Sequence, residues 1–471
     1  MKKILLIFIL FITTIFAEKI KIYHVNDMHG NIYNFSKIAY IIENDTTKNK
    51  LLVSAGDLFS GNPTVDIYNP KGYPMIDLMN KLNFLYSVIG NHEFDYGQKI
   101  LIDRIKQAKF KFLCANFSPS NELKDLVKDY NIYTTPEGIK IAFLGLIETS
   151  NNGIPSTMPQ KVKGIKFKNA LNIAKKYKFL KDSSDIFIVL SHLGSEYDFK
   201  LAKIMPEIDI IIGGHSHEII NTEYNNVLIV QAKSYLRYLG EITIEYDKEK
   251  KKIISKKEKL IRLSKIKKYD KKLKKLINKY ENNPILKEVI GYSVAKIEGK
   301  SKLGALMTDA YKFATKADIA FQNNGGIRIH QIPKGKIILK QIYKLDPFMN
   351  KLITYQMNIK DIKSLIKYSI EHHGNNIDLQ VSGMMYEVTF NPKEQIQNIN
   401  LYDTNKKLLK NNKLYNVALN SYLADAYKFT YQKVIKKYDM TTEEAIINYI
   451  KSKKEINYSD IKPRIIAIYQ K

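Results

Sequence analysis

The chain has 471 residues, 45% hydrophobic and 26% charged, with a formal net charge of +28, which leaves room for two or three domains, each with its own core. Its one cysteine, Cys114, excludes an intramolecular disulfide. The positive charge is nearly all lysine, with arginine only at 104, 237, 262, 328 and 464; dedicated readers of phosphate backbones ordinarily use arginine as well, so no specific nucleic-acid partner is expected.

At the start of the chain, Lys2 and Lys3 precede an apolar run over 4–16, and Ala17 offers a small residue for cleavage. This is the layout of a secretory signal, too short for an ordinary membrane span of about 20 residues. Residues 1–17 are therefore expected to be removed and the chain exported to the periplasm or medium; loss of Lys2 and Lys3 lowers the charge from +28 to +26. No later stretch is apolar enough for long enough to span a membrane. Short β-branched and apolar runs follow at 20–25, 51–55, 85–89, 141–146, 186–190 and 208–212, which read as buried strands. Helical patterns lie between them, as at 73–82 and 98–108. This alternation predicts an α/β domain over 18–247 with its sheet covered on both faces. The lysine-rich stretch 248–283 reads as a solvated, partly helical connector, and a second, smaller α/β block occupies 284–471.

Polar residues gather just past the predicted strands. The first strand runs into Asp27-Met-His29-Gly30, the second into Gly56-Asp57 and the third into Gly90-Asn91-His92-Glu93-Phe-Asp95; later ones end in Ser191-His192 and Gly213-Gly214-His215-Ser216-His217. Ligands and catalytic groups converge at the carboxyl ends of strands in open α/β sheets. Carboxylates, an amide oxygen and imidazoles suit Zn, Mn, Co or Fe rather than a thiolate-selected metal, and two such ions can hold the attacking and leaving oxygens of a phosphoryl displacement. His24 falls on the other face of the strand alternation and reads as structural. His330, His372 and His373 lack a carboxylate set and read as surface or core residues.

The order Asp-x-His, Gly-Asp, Gly-Asn-His-Glu, His, Gly-His-x-His resembles the calcineurin-like metallophosphoesterase domain. In the second block, Phe321-Gln-Asn323-Asn-Gly325-Gly326-Ile-Arg328, Asp346-Pro-Phe348 and Val381-Ser-Gly-Met-Met-Tyr386 resemble the C-terminal domain of 5′-nucleotidases and periplasmic nucleotide-sugar hydrolases. The resemblance covers nearly the whole mature chain. It implies an αββα sandwich, a connector helix and a C-terminal substrate domain that rotates about the connector. One metal would lie among Asp27, His29, Asp57 and His217 and the other among Asp57, Asn91, His192 and His215, with Asp57 as the bridge. His92 and Asp95 would be the catalytic pair, and Asn323, Arg328 and Phe348 the substrate contacts. The implied activity is release of phosphate from nucleoside monophosphates; cleavage of 2′,3′-cyclic nucleotides or nucleotide sugars is the alternative. A non-catalytic exported binder of nucleotides or polyanions is the alternative of another class.

Two segments depart from that pattern. Ile297 stands where the family often has a phosphate-facing arginine, and Lys300 and Lys302 flank Ser301 just beyond it, so one of these lysines is expected to meet a substrate phosphate. The family's second stacking ring falls in Tyr422-Leu-Ala-Asp425-Ala-Tyr427-Lys-Phe429, where Phe429 is favoured.

Overall fold

A computed structural model describes residues 17–119, 122–149 and 153–470. Apart from Ala17, the expected leader lies outside the described residues. Among them no helix is long and apolar enough to cross a membrane.

The N-terminal domain is built on two sheets. One has seven strands in the order Lys252–Arg262, Tyr238–Asp247, Ala17–Val25, Asn49–Ser54, Tyr86–Val88, Lys111–Leu113, Val127–Lys128; the other has six, Ile219–Tyr224, Val227–Ala232, Ile210–Gly213, Ile186–His192, Lys140–Ile147, Tyr130–Thr134. The two-residue period of a strand decides what lies between them. Ile20, Ile22, Val53, Ile186, Ile188 and Ile212 fill the space between the sheets. Leu52 and Tyr23 instead face a layer that includes helices Phe35–Glu43 and Tyr73–Lys81, while Phe187 and Val189 pack with Leu201 and Ala202 of helix Ser195–Ile204. The result is the expected αββα sandwich. His24 is buried and its Nε2 lies 3.1 Å from Glu258 Oε1, a structural placement as its strand position implied.

The stretch 248–283 differs from the solvated connector read from its sequence. Lys252–Arg262 is the edge strand of the seven-stranded sheet, antiparallel to Tyr238–Asp247. Lys252, Lys257 and Lys259 are exposed on this edge, where charge discourages pairing with other chains, and that density of lysine hid the strand. Helix Lys271–Glu281 begins where the Asp270 side chain accepts from Leu273 N. It buries Leu273, Ile277 and Tyr280 in the N-terminal core, and Tyr280 OH donates to Asp77 Oδ2 at 2.7 Å.

The C-terminal domain centres on a five-stranded sheet in the order Leu379–Ser382, Ile319–Asn323, Tyr415–Asn420, Lys351–Met357, Lys433–Thr441. Helices Gly299–Thr315 and Thr442–Lys453 cover one face and Ile359–His372 the other. The carboxyl end of Ile319–Asn323 carries the Asn-Asn-Gly-Gly turn to the N-terminal domain, where Arg328 Nη2 comes within 3.4 Å of His29 Nε2.

Candidate active site

The N-terminal half of the site forms where buried strands stop and the backbone reverses. Asp27 (φ 49°), His29 (φ 47°), Asp57 (φ 54°), His215 (φ 75°) and His217 (φ 57°) all adopt the left-handed conformation, which costs a non-glycine residue free energy and persists only where the surroundings enforce it. The enforcement is visible: Asp27 N donates to Gly56 O at 3.0 Å, His29 N to Asp57 O at 3.0 Å and His215 N to both Asp27 carboxylate oxygens at 3.1 and 3.0 Å.

Donor atoms converge in two groups. Those of Asp27, His29, Asp57 and His217 lie within 4.8 Å of one another, with His29 Nε2 and His217 Nε2 2.9 Å apart. In the second group, Asn91 Oδ1 lies 3.2 Å from His192 Nε2 and 3.1 Å from His215 Nδ1. Asp57 Oδ2 faces both groups, 3.9 Å from His29 Nε2 and 3.2 Å from His192 Nε2. Asp27 and Asp57 are buried, and among the described residues neither pairs with a lysine or arginine. Buried carboxylates are stable when paired or when they coordinate metals, so this donor set fits divalent cations. Imidazoles lie beside both carboxylates, His217 at Asp27 and His29 and His192 at Asp57. Burial opposes charge on His192, yet Asp57 beside it pushes the ring up to about 10; burial and then His192 push His215 down to about 4. Backbone carbonyls orient the rings from behind, Ser60 O on His29 Nδ1 at 3.1 Å and Ala55 O on His192 Nδ1 at 2.7 Å, which aims the opposite nitrogens at the centre.

His92 and Asp95 meet as expected, Nδ1 to Oδ2 at 2.6 Å. Burial disfavours the imidazolium, but Asp95 and then Asp57 raise His92 above its ordinary value. Glu93, in the same motif but given no role from sequence, braces the turn. Its carboxylate accepts from Gly90 N at 2.7 Å, Asp57 N at 3.1 Å and Leu58 N at 2.6 Å, and burial, then Asp57, raises it to about 7.

The C-terminal domain closes over this centre. A cavity of about 250 Å³ places Asn323, Arg328 and Phe348 opposite Asp57, Asn91, His92 and Asp95. The Phe348 ring lies 5.9 Å from that of His92 at 27°, and the Arg328 guanidinium is 5.6 Å from the Phe348 ring centre. Phe429 is not among the lining residues; its ring packs on Tyr355 and Tyr431 at 5.6 and 5.9 Å. Tyr422 lines the cavity instead. Asn420 Oδ1 accepts from Leu423 N at 2.8 Å and starts helix Ser421–Ala426, and this places Tyr422 in the first turn. Of the two lysines after buried Ile297, Lys302 donates to Ser459 O at 2.7 Å, away from the site; Lys300 donates to Ile327 O and, at 2.8 Å, to Asn324 O, clamping the turn before Arg328. Lys161 lines the cavity and donates to Asp95 O at 2.6 Å; no motif marks it in the sequence. His330 and His372 are exposed; His373, also exposed, lies 3.8 Å from Asp378 Oδ2.

An αββα sandwich with this donor set at its strand ends defines a metallophosphoesterase domain. Residues 20–218 match the model of the calcineurin-like phosphoesterases, and 286–432 that of the 5′-nucleotidase C-terminal domain. In this order the two matches make the chain a calcineurin-like phosphoesterase domain followed by a 5′-nucleotidase C-terminal domain. It is 28% identical over 490 residues to the endonuclease YhcR of Bacillus subtilis, covering 92% of this chain but only 40% of that protein. With the 5′-nucleotidase of Vibrio cholerae it shares 26% over 416 residues, 73% of this chain and 74% of that one. The crystal structure of a 5′-nucleotidase precursor from Thermus thermophilus has the same fold, with a TM-score of 0.81, 23% identity and coverage of 96% and 99%.

Proposed function

We propose that the chain is an exported 5′-nucleotidase that releases phosphate from nucleoside monophosphates with two divalent ions of Zn, Mn, Co or Fe. The observation that supports this most is the cavity in which Phe348, Asn323 and Arg328 face His92, Asp95 and Asp57. Asp27, His29, Asp57 and His217 would hold one ion and Asp57, Asn91, His192 and His215 the other; such ions polarise phosphoryl oxygens and ease deprotonation of water.

The chain's own residues account for the rest. Arg328 reaches toward His29 from the opposite domain, a position from which its planar fork can take two phosphate oxygens. His92, whose ring Asp95 orients through Nδ1 at 2.6 Å, faces the phosphoryl group and can pass a proton to the leaving oxygen. Asp95 occupies Nδ1 and so leaves Nε2 to the cavity. Phe348 and Tyr422 offer rings to the base. Export rests on the leader over 1–17, with Glu18 as the mature N-terminus.

Phosphate release from a panel of nucleotides, run with each metal and after chelation, tests the activity. Monophosphate hydrolysis that stops on chelation and returns with metal is expected; equal turnover of chelated protein overturns the reading. Intact mass of the secreted protein checks the cleavage.

A further inference from the structure

A second cleft, of about 680 Å³, opens on the opposite side of Arg328 and His217 from the nucleoside cavity and reaches His29. Lys233, Arg237, Lys300, Arg328 and Lys344 line it, and no carboxylate does. Among the described residues none of these five cations forms an ion pair with an acid, although the chain carries 47 acidic residues that could have supplied one. Arg328 Nε is buried without a hydrogen-bond partner, an uncompensated donor that a native site tolerates when a ligand satisfies it.

The wall opposite Lys344 is held under strain. Lys233, Tyr235 and Leu236 have φ of 64°, 58° and 50°, unusual for non-glycine residues and frequent at ligand clamps. The loop is tied to the metal side: Asn26 donates to Lys233 O and, at 2.6 Å, to Asp27 Oδ2, while Tyr235 N donates to Asp27 O at 2.8 Å. Lys233 and Arg237 are thus registered against a ligand-bearing turn. Tyr33 and Tyr235 add rings to the lining, and the volume is well over twice that of the nucleoside cavity, more than a short bare phosphate chain fills.

We propose that this cleft receives the preceding nucleotide of a single-stranded oligonucleotide, whose 3′-terminal nucleoside occupies the Phe348 cavity. Lysine, arginine and tyrosine lining a groove is the chemistry that grips a single strand without reading its sequence. The inference rests on the proposed phosphohydrolase. Water oxygen bonds to the terminal phosphodiester phosphorus, the P–O3′ bond breaks, and the proton of that water ends on O3′. The product is a nucleoside 5′-monophosphate already seated in the nucleoside cavity, the monoester that the same centre then hydrolyses.

The test compares thymidine monophosphate, the dinucleoside monophosphate TpT, the trinucleotide TpTpT and ATP in wild type and in Arg237→Gln/Lys344→Gln. Thymidine monophosphate reads the proposed function on its own, and its unchanged turnover also reports a folded variant. Expected are cleavage of TpTpT by wild type, faster than of TpT, and a loss of about tenfold or more on TpTpT in the variant, the scale of a charged phosphate contact. Fluorescence anisotropy of labelled oligothymidylate on chelated protein should show the same weakening without catalysis. No cleavage of TpTpT by an enzyme active on thymidine monophosphate overturns the proposal. So does equal loss on both, loss on ATP as large as on TpTpT, or unchanged anisotropy.

Discussion

On the N-terminal side of the cleft, Asp27, His29, Asp57, His215 and His217 hold left-handed backbone, whereas Asn323, Arg328 and Phe348 on the facing side do not. The first set stores on the order of 1–3 kcal/mol per residue and is locked by hydrogen bonds within one domain, as between Asp27, Gly56 and His215. The second set owes its position to one domain lying on another, with Arg328 3.4 Å from His29 across the boundary. The proposed metal centre is thus preformed, while the wall proposed to meet substrate is placed by docking. Damage to the two sides should appear in different observables, metal content for one and substrate preference for the other.

The largest effect is expected from Asp57→Asn, which removes an anionic donor common to both groups. Turnover should fall well beyond the roughly 10–100-fold typical of residues outside the ligand set, with both metal equivalents reduced by elemental analysis; near-wild-type turnover would break the shared-carboxylate assignment. His92→Ala should lower kcat by roughly 10²–10⁴-fold and keep both metal equivalents, so loss of one would move His92 into the ligand set. Glu93→Gln puts an amide against three backbone N–H groups and should weaken metal affinity by roughly 10–100-fold, with kcat recovering at saturating metal; a defect that saturating metal leaves intact would give Glu93 a role in chemistry. On the substrate side, Phe348→Ala should cost about 1–3 kcal/mol of base stacking, read as a loss of kcat/KM on nucleoside monophosphates greater than that on a small aryl phosphate. Equal losses would return Phe348 to packing and blur the division.

The same division explains what could be read from the sequence. The convergence on the metal side was legible because each candidate ligand sits in a short motif at the end of an apolar strand, so local spacing carries the geometry. Glu93 stood in such a motif, but its work is on backbone N–H groups that sequence does not display. On the substrate side, the choice of Tyr422 over Phe429 depends on where Asn420 starts a helix, and Lys161 arrives from a segment without periodicity. Strand Lys252–Arg262 was obscured because an edge strand needs apolar residues on one face only, and its lysines resemble those of a solvated helix.

The docking of helix Lys271–Glu281 and the pairing of Lys252–Arg262 determine where the chain can be cut. A fragment ending at 247 would bare ten residues of Tyr238–Asp247 as an open sheet edge and leave the seat of Leu273, Ile277 and Tyr280 exposed, two invitations to aggregation. A fragment ending at 281 covers both. The metal-binding half should therefore be obtainable as a soluble piece over 18–281 and not over 18–247, with residues 282–283 as the place where a protease would part the domains.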